Sequence, residues 1–417
     1  MASFSFGSGN AAKLLRMPLY AAGRIAALLI PRGDRWVFGC GAGVGDGALA
    51  LYRVAADAGH RVLWLARSPR DADDAKALGI RTVPRDGVRG WWATTRAQVL
   101  VVTHGLGDVN RYGSSDAFVV QLWHGIPLKR IGLDSPITAE VPAGIPGAGL
   151  LRRLLTAMYR GAAQRIQVLP AASHRSRGRL ESAFGLGDDR VVVTGEPRVD
   201  VLSQGSAAQR RANATQLLTR TGPVLTAQRV LLYAPTWRDG APDPAVPTAA
   251  QWVDIVRLLG KHDALLFIRS HPLGAGAYAP PWSSGRVRML NSDLLADVTP
   301  ALPRVDVLIT DYSSMAYDVG LLAMPVVYLA PDAEQYGRER GFYGPYSDVA
   351  GDDHATDWAG ALEQLDAVLA DDAVWAERSA RSAELSAHMH AHRDGQNARR
   401  VYQAIRARGI PAPKGAR

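Results

Sequence analysis

Short apolar runs rich in Val, Ile, Leu and Trp alternate along this chain with longer stretches whose apolar residues recur every three or four positions. That alternation predicts parallel strands joined by helical crossovers, an α/β class. In the first half the runs fall at 35–40, 61–66, 97–103, 117–123, 165–169 and 190–194, with a helical pattern at 48–58. The pattern restarts at 230–233 and continues with strands at 264–268, 287–289, 305–310 and 325–329. Between the halves, 203–220 is polar and poor in apolar residues, so the domain boundary is placed there. This gives a basic apolar segment at 1–30, an N-terminal Rossmann-like domain at 31–215 and a C-terminal one at 225–406, closed by helices over 358–406.

Composition narrows the class. A chain of 417 residues with 47% hydrophobic and 21% charged positions is globular, which excludes disordered and fibrous proteins. Its single cysteine, Cys40, excludes an internal disulfide and a four-cysteine zinc site, and points to a reducing compartment. The net charge of +9 comes mainly from arginine, so anionic partners are expected. Charge alone does not separate nucleic acid, acidic lipid and phosphorylated polymer, and a plain compositional preference for arginine explains it equally well.

The apolar stretch 11–30 is interrupted by Lys13, Arg16 and Arg24 and broken by Pro18, so it is not expected to span a membrane. Two readings fit it. It lies in the membrane interface with Leu14, Leu15, Leu28 and Leu29 towards the acyl chains, or it is an ordinary helix packed on the first domain.

Candidate chemistry gathers at predicted strand ends, where open α/β sheets hold their reactive groups. The run Gly39-Cys40-Gly41-Ala42-Gly43-Val44-Gly45 follows a strand and precedes a helix. Its glycines only alternate, and no acidic residue ends the second strand to hold a ribose, so a flexible turn is favoured over a dinucleotide site. Gln121-Leu122-Trp123-His124-Gly125, followed by Lys129, ends a strand of the first domain. Tyr233-Ala234-Pro235-Thr236-Trp237-Arg238 and Arg269-Ser270-His271-Pro272 end the first two strands of the second. Asp311-Tyr312-Ser313-Ser314 joins a strand to a helix predicted at 315–322, placing two hydroxyls and the first free amides where a phosphate is favoured.

In this order, and with Gly195-Glu196-Pro197-Arg198, Asp200 and Asp318, these segments resemble the CDP-glycerol glycerophosphotransferase family over about 117–336. The two Rossmann-like halves, with an interdomain cleft, match the GT-B-like architecture by analogy of fold. The resemblance implies an enzyme in which an acceptor hydroxyl attacks the distal phosphorus of CDP-glycerol or CDP-ribitol and CMP leaves. The acceptor is then a lipid-linked saccharide or a growing polyol-phosphate polymer of the teichoic-acid or capsule type. His124 resembles the general base, and His271 the histidine beside the diphosphate. Thr236, Arg238, Arg269, Ser313 and Ser314 resemble its phosphate contacts. Lys129, Asp311 and Asp318 suit either the polyol or a structural role.

No cofactor and no metal are expected. Asp71-Ala72-Asp73-Asp74 reads as a solvated helix, and His388, His390 and His392 as surface residues. A peripheral location at the cytoplasmic membrane face, on an anionic surface and without nucleic acid, completes the expectation. Two competing readings remain: a GT-B glycosyltransferase using a nucleotide sugar, and a non-catalytic protein binding membrane or polyanion.

Overall fold

Val99, Leu100, Val101 and Val102 are all fully buried. A strand reaches that state only when both faces of its sheet are covered, and a continuous apolar run is how such a strand is written. The computed structural model describes residues 22–23, 25–27, 29–141, 147–238, 242–270 and 278–413. Among these the chain forms two compact units: 1–125, 130–200 and 394–417 make the first, 126–129 and 201–393 the second.

Unit 1 holds a seven-stranded sheet of β1 (Arg35–Phe38), β2 (Val62–Ala66), β3 (Thr82–Pro84), β4 (Ala97–Val102), β5 (Phe118–Gln121), β6 (Ile166–Ala171) and β7 (Val191–Val193). The strand order is β3-β2-β1-β4-β5-β6-β7, all parallel. Trp36, Phe38 and Trp64 pack on one face; Val37, Leu63, Leu65 and Leu100 pack on the other.

Unit 2 repeats the plan with β8 (Arg229–Ala234), β9 (Ala264–Ile268), β10 (Val287–Met289), β11 (Val307–Thr310) and β12 (Val326–Tyr328). Their order is β10-β9-β8-β11-β12, again parallel. Two parallel-sheet α/β units are therefore present, as the hydrophobic pattern predicts. The edge strand β3 is an addition, since three residues ending in proline carry no apolar run.

The boundary moves from its expected place. Residues 207–218 form the helix Ala207–Leu218 rather than a linker; it buries Ala214 and Leu218, and its Arg211 pairs with Asp306 at 3.2 Å. Polar composition hid this because only one narrow stripe of the helix faces inward. The chain's last helix, Asn397–Arg406, belongs to unit 1 rather than to the second domain. Asp200 caps it, accepting the Asn397 and Ala398 amides at 2.9 and 2.8 Å. Asn397 in turn donates to the Glu196 carbonyl. Gly195, at φ +75°, leaves room for this, because a Cβ there would stand 2.1 Å from the Asn397 amide oxygen.

Burial pushes the Asp200 carboxyl up to about 6, above an ordinary 3.8, even though the two amides pull it down. A raised folded-state value means the stabilising contribution is complete in acid and lost as pH climbs through about 6. Comparing wild type with Asp200→Asn, the stability difference should therefore drift in the variant's favour between about pH 4 and about pH 7, by up to about 3 kcal/mol. Thermal denaturation across that range measures it; a difference that stays constant with pH contradicts the raised value.

Candidate active site

In open parallel sheets, ligands bind beyond the carboxyl ends of the strands, where the strand order reverses. That point lies between β1 and β4 in unit 1 and between β8 and β11 in unit 2. The loops leaving these four strands carry the glycine run, Thr103-His104, Thr236 to Arg238 and Asp311 to Ser314.

At the switch point of unit 1, Asp108 replaces the ladder partners that β4 loses as it ends. Its Oδ2 accepts the Thr103 amide at 2.9 Å, the His104 amide at 2.7 Å and the Thr103 hydroxyl at 3.1 Å. The glycine run packs directly on this turn. A Cβ on Gly39 would lie 2.1 Å from the Asp108 carbonyl oxygen, and one on Gly41 would lie 2.7 Å from the His104 ring. The glycines therefore serve close backbone approach rather than a flexible turn. Arg67 holds the loop from outside, donating to the Gly41 carbonyl. Asp71 anchors Arg67 through a 2.9 Å bond and is itself buried. The expectation of a fully solvated Asp71 fails because this arginine and the Ser68 cap draw its carboxylate inward.

His124 enters from the end of β5. Trp123 stands in the left-handed region at φ +63°, a costly conformation for a bulky residue, and Gly125 follows at φ +148°. The Trp123 ring meets Phe184 edge-on at 5.1 Å and lies 4.2 Å from the His124 ring, so core packing holds the turn. A second neighbour is His104, whose ring stacks on His124 at 4.5 Å with an 8° tilt. His124 Nδ1 is buried and has no hydrogen-bond partner among the described residues. Burial, then His104, then Arg198 push the imidazole well below its usual 6.5, and a backbone hydrogen bond at Thr103 opposes them. At neutral pH His124 is an uncharged imidazole, which is the state a general base needs.

In unit 2 two of the sequence-selected residues, Thr236 and Asp311, meet around a third, Arg238. Asp311 Oδ1 accepts the Thr236 and Tyr312 amides at 2.9 and 2.6 Å, tying the ends of β8 and β11 together. The Arg238 side chain is only 5% exposed, and four of its five N–H donors are taken. It forms a fork with Asp332, with both bonds at 2.8 Å, and reaches Asp311 at 2.7 Å and the Thr236 carbonyl at 2.5 Å. Asp243 stands 3.9 Å away, and the Tyr312 and Tyr336 rings lie 4.9 and 5.0 Å from the guanidinium carbon. Burial raises the Asp332 carboxyl, but Arg238 and the Tyr312 hydroxyl more than reverse this, so it titrates below the usual carboxylate range. Arg238 is thus the internal countercharge of this cluster.

Arg269 is also engaged. It donates to the carbonyls of Leu290 (3.0 Å), Leu295 (2.6 Å) and Ala296 (2.9 Å), fixing the segment after β10. Ser313 Oγ takes the Met315 amide at 3.2 Å, while Ser314 makes no side-chain cap. The helix they precede is short, Met315–Val319, continued by a 3₁₀ turn Gly320–Leu322. Lys129 bridges to Phe342, and its ammonium stands 5.9 Å over the Tyr336 ring. Asp318 is buried 3.5 Å from His390 Nε2. His390 is thus interior rather than surface, because the helix Asp372–Met389 ends against Asp318. His271 lies outside the described residues. Among those described, no group of three or more His, Cys, Asp or Glu side chains is placed to hold a metal ion. Sequence reasoning overlooked His104, Asp108 and Asp243; the position of Thr103-His104 at the end of a predicted strand was the one available signal.

The sequence model of the family described as CDP-Glycerol:Poly(glycerophosphate) glycerophosphotransferase matches residues 35–407. The teichoic acid glycerol-phosphate transferase of Staphylococcus aureus (strain NCTC 8325 / PS 47) is 29% identical over 265 residues, 61% of this chain and 64% of that protein. The teichoic acid poly(glycerol phosphate) polymerase of Staphylococcus epidermidis is 29% identical over 238 residues, 54% of this chain and 30% of that protein. The matches thus span less than two thirds of either relative's length. The solved structure of the wall teichoic acid polymerase TagF shares the fold, with a TM-score of 0.74 at 21% identity, over 97% of this chain and 99% of that chain.

Replacing Arg238 by Gln should cost about 3–5 kcal/mol, because the buried Asp311 and the part-buried Asp332 would lose their countercharge. Chemical denaturation of the full chain reads this loss. An unchanged midpoint would mean that the arginine is dispensable to the fold and free for a ligand.

Proposed function

Since the chain belongs to the CDP-glycerol:poly(glycerophosphate) glycerophosphotransferase family, we propose that it transfers glycerol phosphate from CDP-glycerol to a hydroxyl of a lipid-linked or polyol-phosphate acceptor, releasing CMP. The observation that carries this reading is His124 at the end of β5, uncharged at neutral pH, whose buried Nδ1 has no hydrogen-bond partner among the described residues. An alcohol is a weak nucleophile near neutral pH. His124 removes its proton as the oxygen attacks the distal phosphorus; a P–O bond forms to the acceptor and the P–O bond to CMP breaks.

Unit 2 supplies the donor side of the proposal. Ser313 and Ser314, at the start of the Met315–Val319 helix, are assigned to the phosphates, and His271 is assigned to the diphosphate on the strength of the family resemblance alone. Arg238 and Arg269 act one step back, holding the Thr236 and Asp311 segments and the 290–296 segment in place. Lys129, Asp311 and Asp318 are given positioning roles in keeping with their contacts. No metal step is part of the proposal.

The same reading places the enzyme at the cytoplasmic membrane face. The helix Ala148–Ala163 contains no acidic residue and exposes Leu150 (74%), Leu154 (54%) and Met158 (46%) at four-residue spacing. Arg152, Arg153 and Arg160 are exposed on the same helix. An apolar stripe flanked by arginines suits an anionic bilayer surface. Among the described residues no helix is long and apolar enough to cross a membrane. Leu29 is 80% exposed, but most of the expected 1–30 interfacial segment lies outside the described residues.

CMP release from CDP-glycerol with a lipid-linked saccharide acceptor tests the chemistry. His124→Ala should lower the rate by about 10²–10⁴-fold. A base must be deprotonated to act, so kcat/KM should hold steady down to pH 6.5 and fall only below it. CDP-ribitol as the sole active donor would change the polyol; silence with both, and turnover of a nucleotide sugar, would move the chain to glycosyl transfer. For the membrane, flotation with anionic liposomes should weaken severalfold when Leu150, Leu154 and Met158 are all replaced by Ser; undiminished flotation removes this helix from the proposal.

A further inference from the structure

His104 lies outside every motif that identifies the family here, yet it is the ring closest in orientation to His124. Its own position is over-determined. His104 Nδ1 is 2.8 Å from the Thr103 hydroxyl, which is 3.1 Å from Asp108 Oδ2. A carboxylate only accepts, and a hydroxyl carries a single proton, so Thr103 donates to Asp108 and accepts from His104 Nδ1–H. That fixes the neutral tautomer, with the Nε2 lone pair left free. The His104 amide is held by the same carboxylate oxygen, and only a glycine at position 41 leaves space for the ring.

Two parallel, part-buried imidazoles 4.5 Å apart disfavour each other's charge. The charged groups facing the pair do not relieve this evenly. Asp108 and Arg67 act on His104 with opposite signs, whereas Arg198 acts on His124 in the same direction as His104 itself. Burial lowers both rings first, and His104 is the next contributor for His124.

We propose that His104 is a positioning residue for the transfer reaction: locked by Thr103 and Asp108, it sets the plane of the His124 ring by stacking and bars a second proton from the pair. It touches neither substrate nor the reacting atoms in this role. The proposal rests on His124 being the base, and it gives a reason for a base that carries no carboxylate partner among its principal electrostatic neighbours.

The test uses the full chain with His104→Phe, which keeps a flat ring without charge, and His104→Ala, which removes the ring. In the Phe variant, kcat at about pH 8 should stay within about threefold of wild type, while the acid limb of kcat/KM moves to higher pH. The Ala variant should lose about tenfold or more in kcat with KM for CDP-glycerol unchanged, since a loosened base costs rate rather than donor binding. A histidine-labelled NMR titration gives a readout that needs no turnover: the His124 midpoint should rise in both variants. An unmoved midpoint in the Phe variant, or full kcat in the Ala variant, overturns the proposal. If His124→Ala itself remains active, the functional reading fails, while the NMR titration still decides whether the two rings share one proton.

Discussion

When a parallel strand ends, its last amides lose the neighbours that satisfied them, and in a switch-point loop no helix follows at once to replace them. Both units meet this constraint in the same way, with one buried carboxylate each. Asp108 accepts the Thr103 and His104 amides just beyond β4. Asp311 accepts the Thr236 and Tyr312 amides just beyond β8 and β11. The remaining features of the two sites follow from how each carboxylate is then accommodated.

In unit 2 the accommodation is by charge. Asp311, Asp332 and Asp243 surround Arg238, and the Tyr312 and Tyr336 rings, stacked at 4.1 Å, close over the guanidinium. Such a cluster is rigid, because every member leaves a costly unpaired group behind if it moves. In unit 1 the accommodation is by hydrogen bonds and packing. Asp108 spends its capacity on backbone and hydroxyl donors, and the neighbouring glycines let the loops close to contact distance. That leaves the histidines without a tightly bound anion and therefore uncharged.

The sheets were legible because parallel strands covered on both faces spell themselves out as apolar runs: β9 and β10 fall where the pattern places them, and β8 gains one residue at each end. β11 starts at Val307 rather than 305 because Asp306 turns its carboxylate onto the Val230 amide. The candidate site was legible as positions but less so as roles. Nothing local to Arg238 discloses that Asp332, 94 positions away, occupies its fork. Nor does the charge pattern of 71–74 disclose that Arg67 and Ser68 pull Asp71 inside. Partners supplied by tertiary contact are what one-dimensional spacing omits, and His104 was missed for the same reason, since its significance comes from the ring it stacks on.

A histidine oriented by a carboxylate gains proton affinity, because the anion stabilises its charged form. His124 is oriented instead by contact with the Trp123 and His104 rings, and its electrostatic neighbours His104 and Arg198 both lower its affinity for a proton. The result is a weaker base that is fully available at neutral pH. For the proposed phosphoryl transfer, with His124 as its base, this is a sound exchange. The transition state is loose, with bond making to the nucleophile little advanced, so the attacking hydroxyl keeps much of its proton until late. What the step demands is a deprotonated imidazole held at fixed geometry, and ring stacking supplies the geometry without the charge that would fill its lone pair.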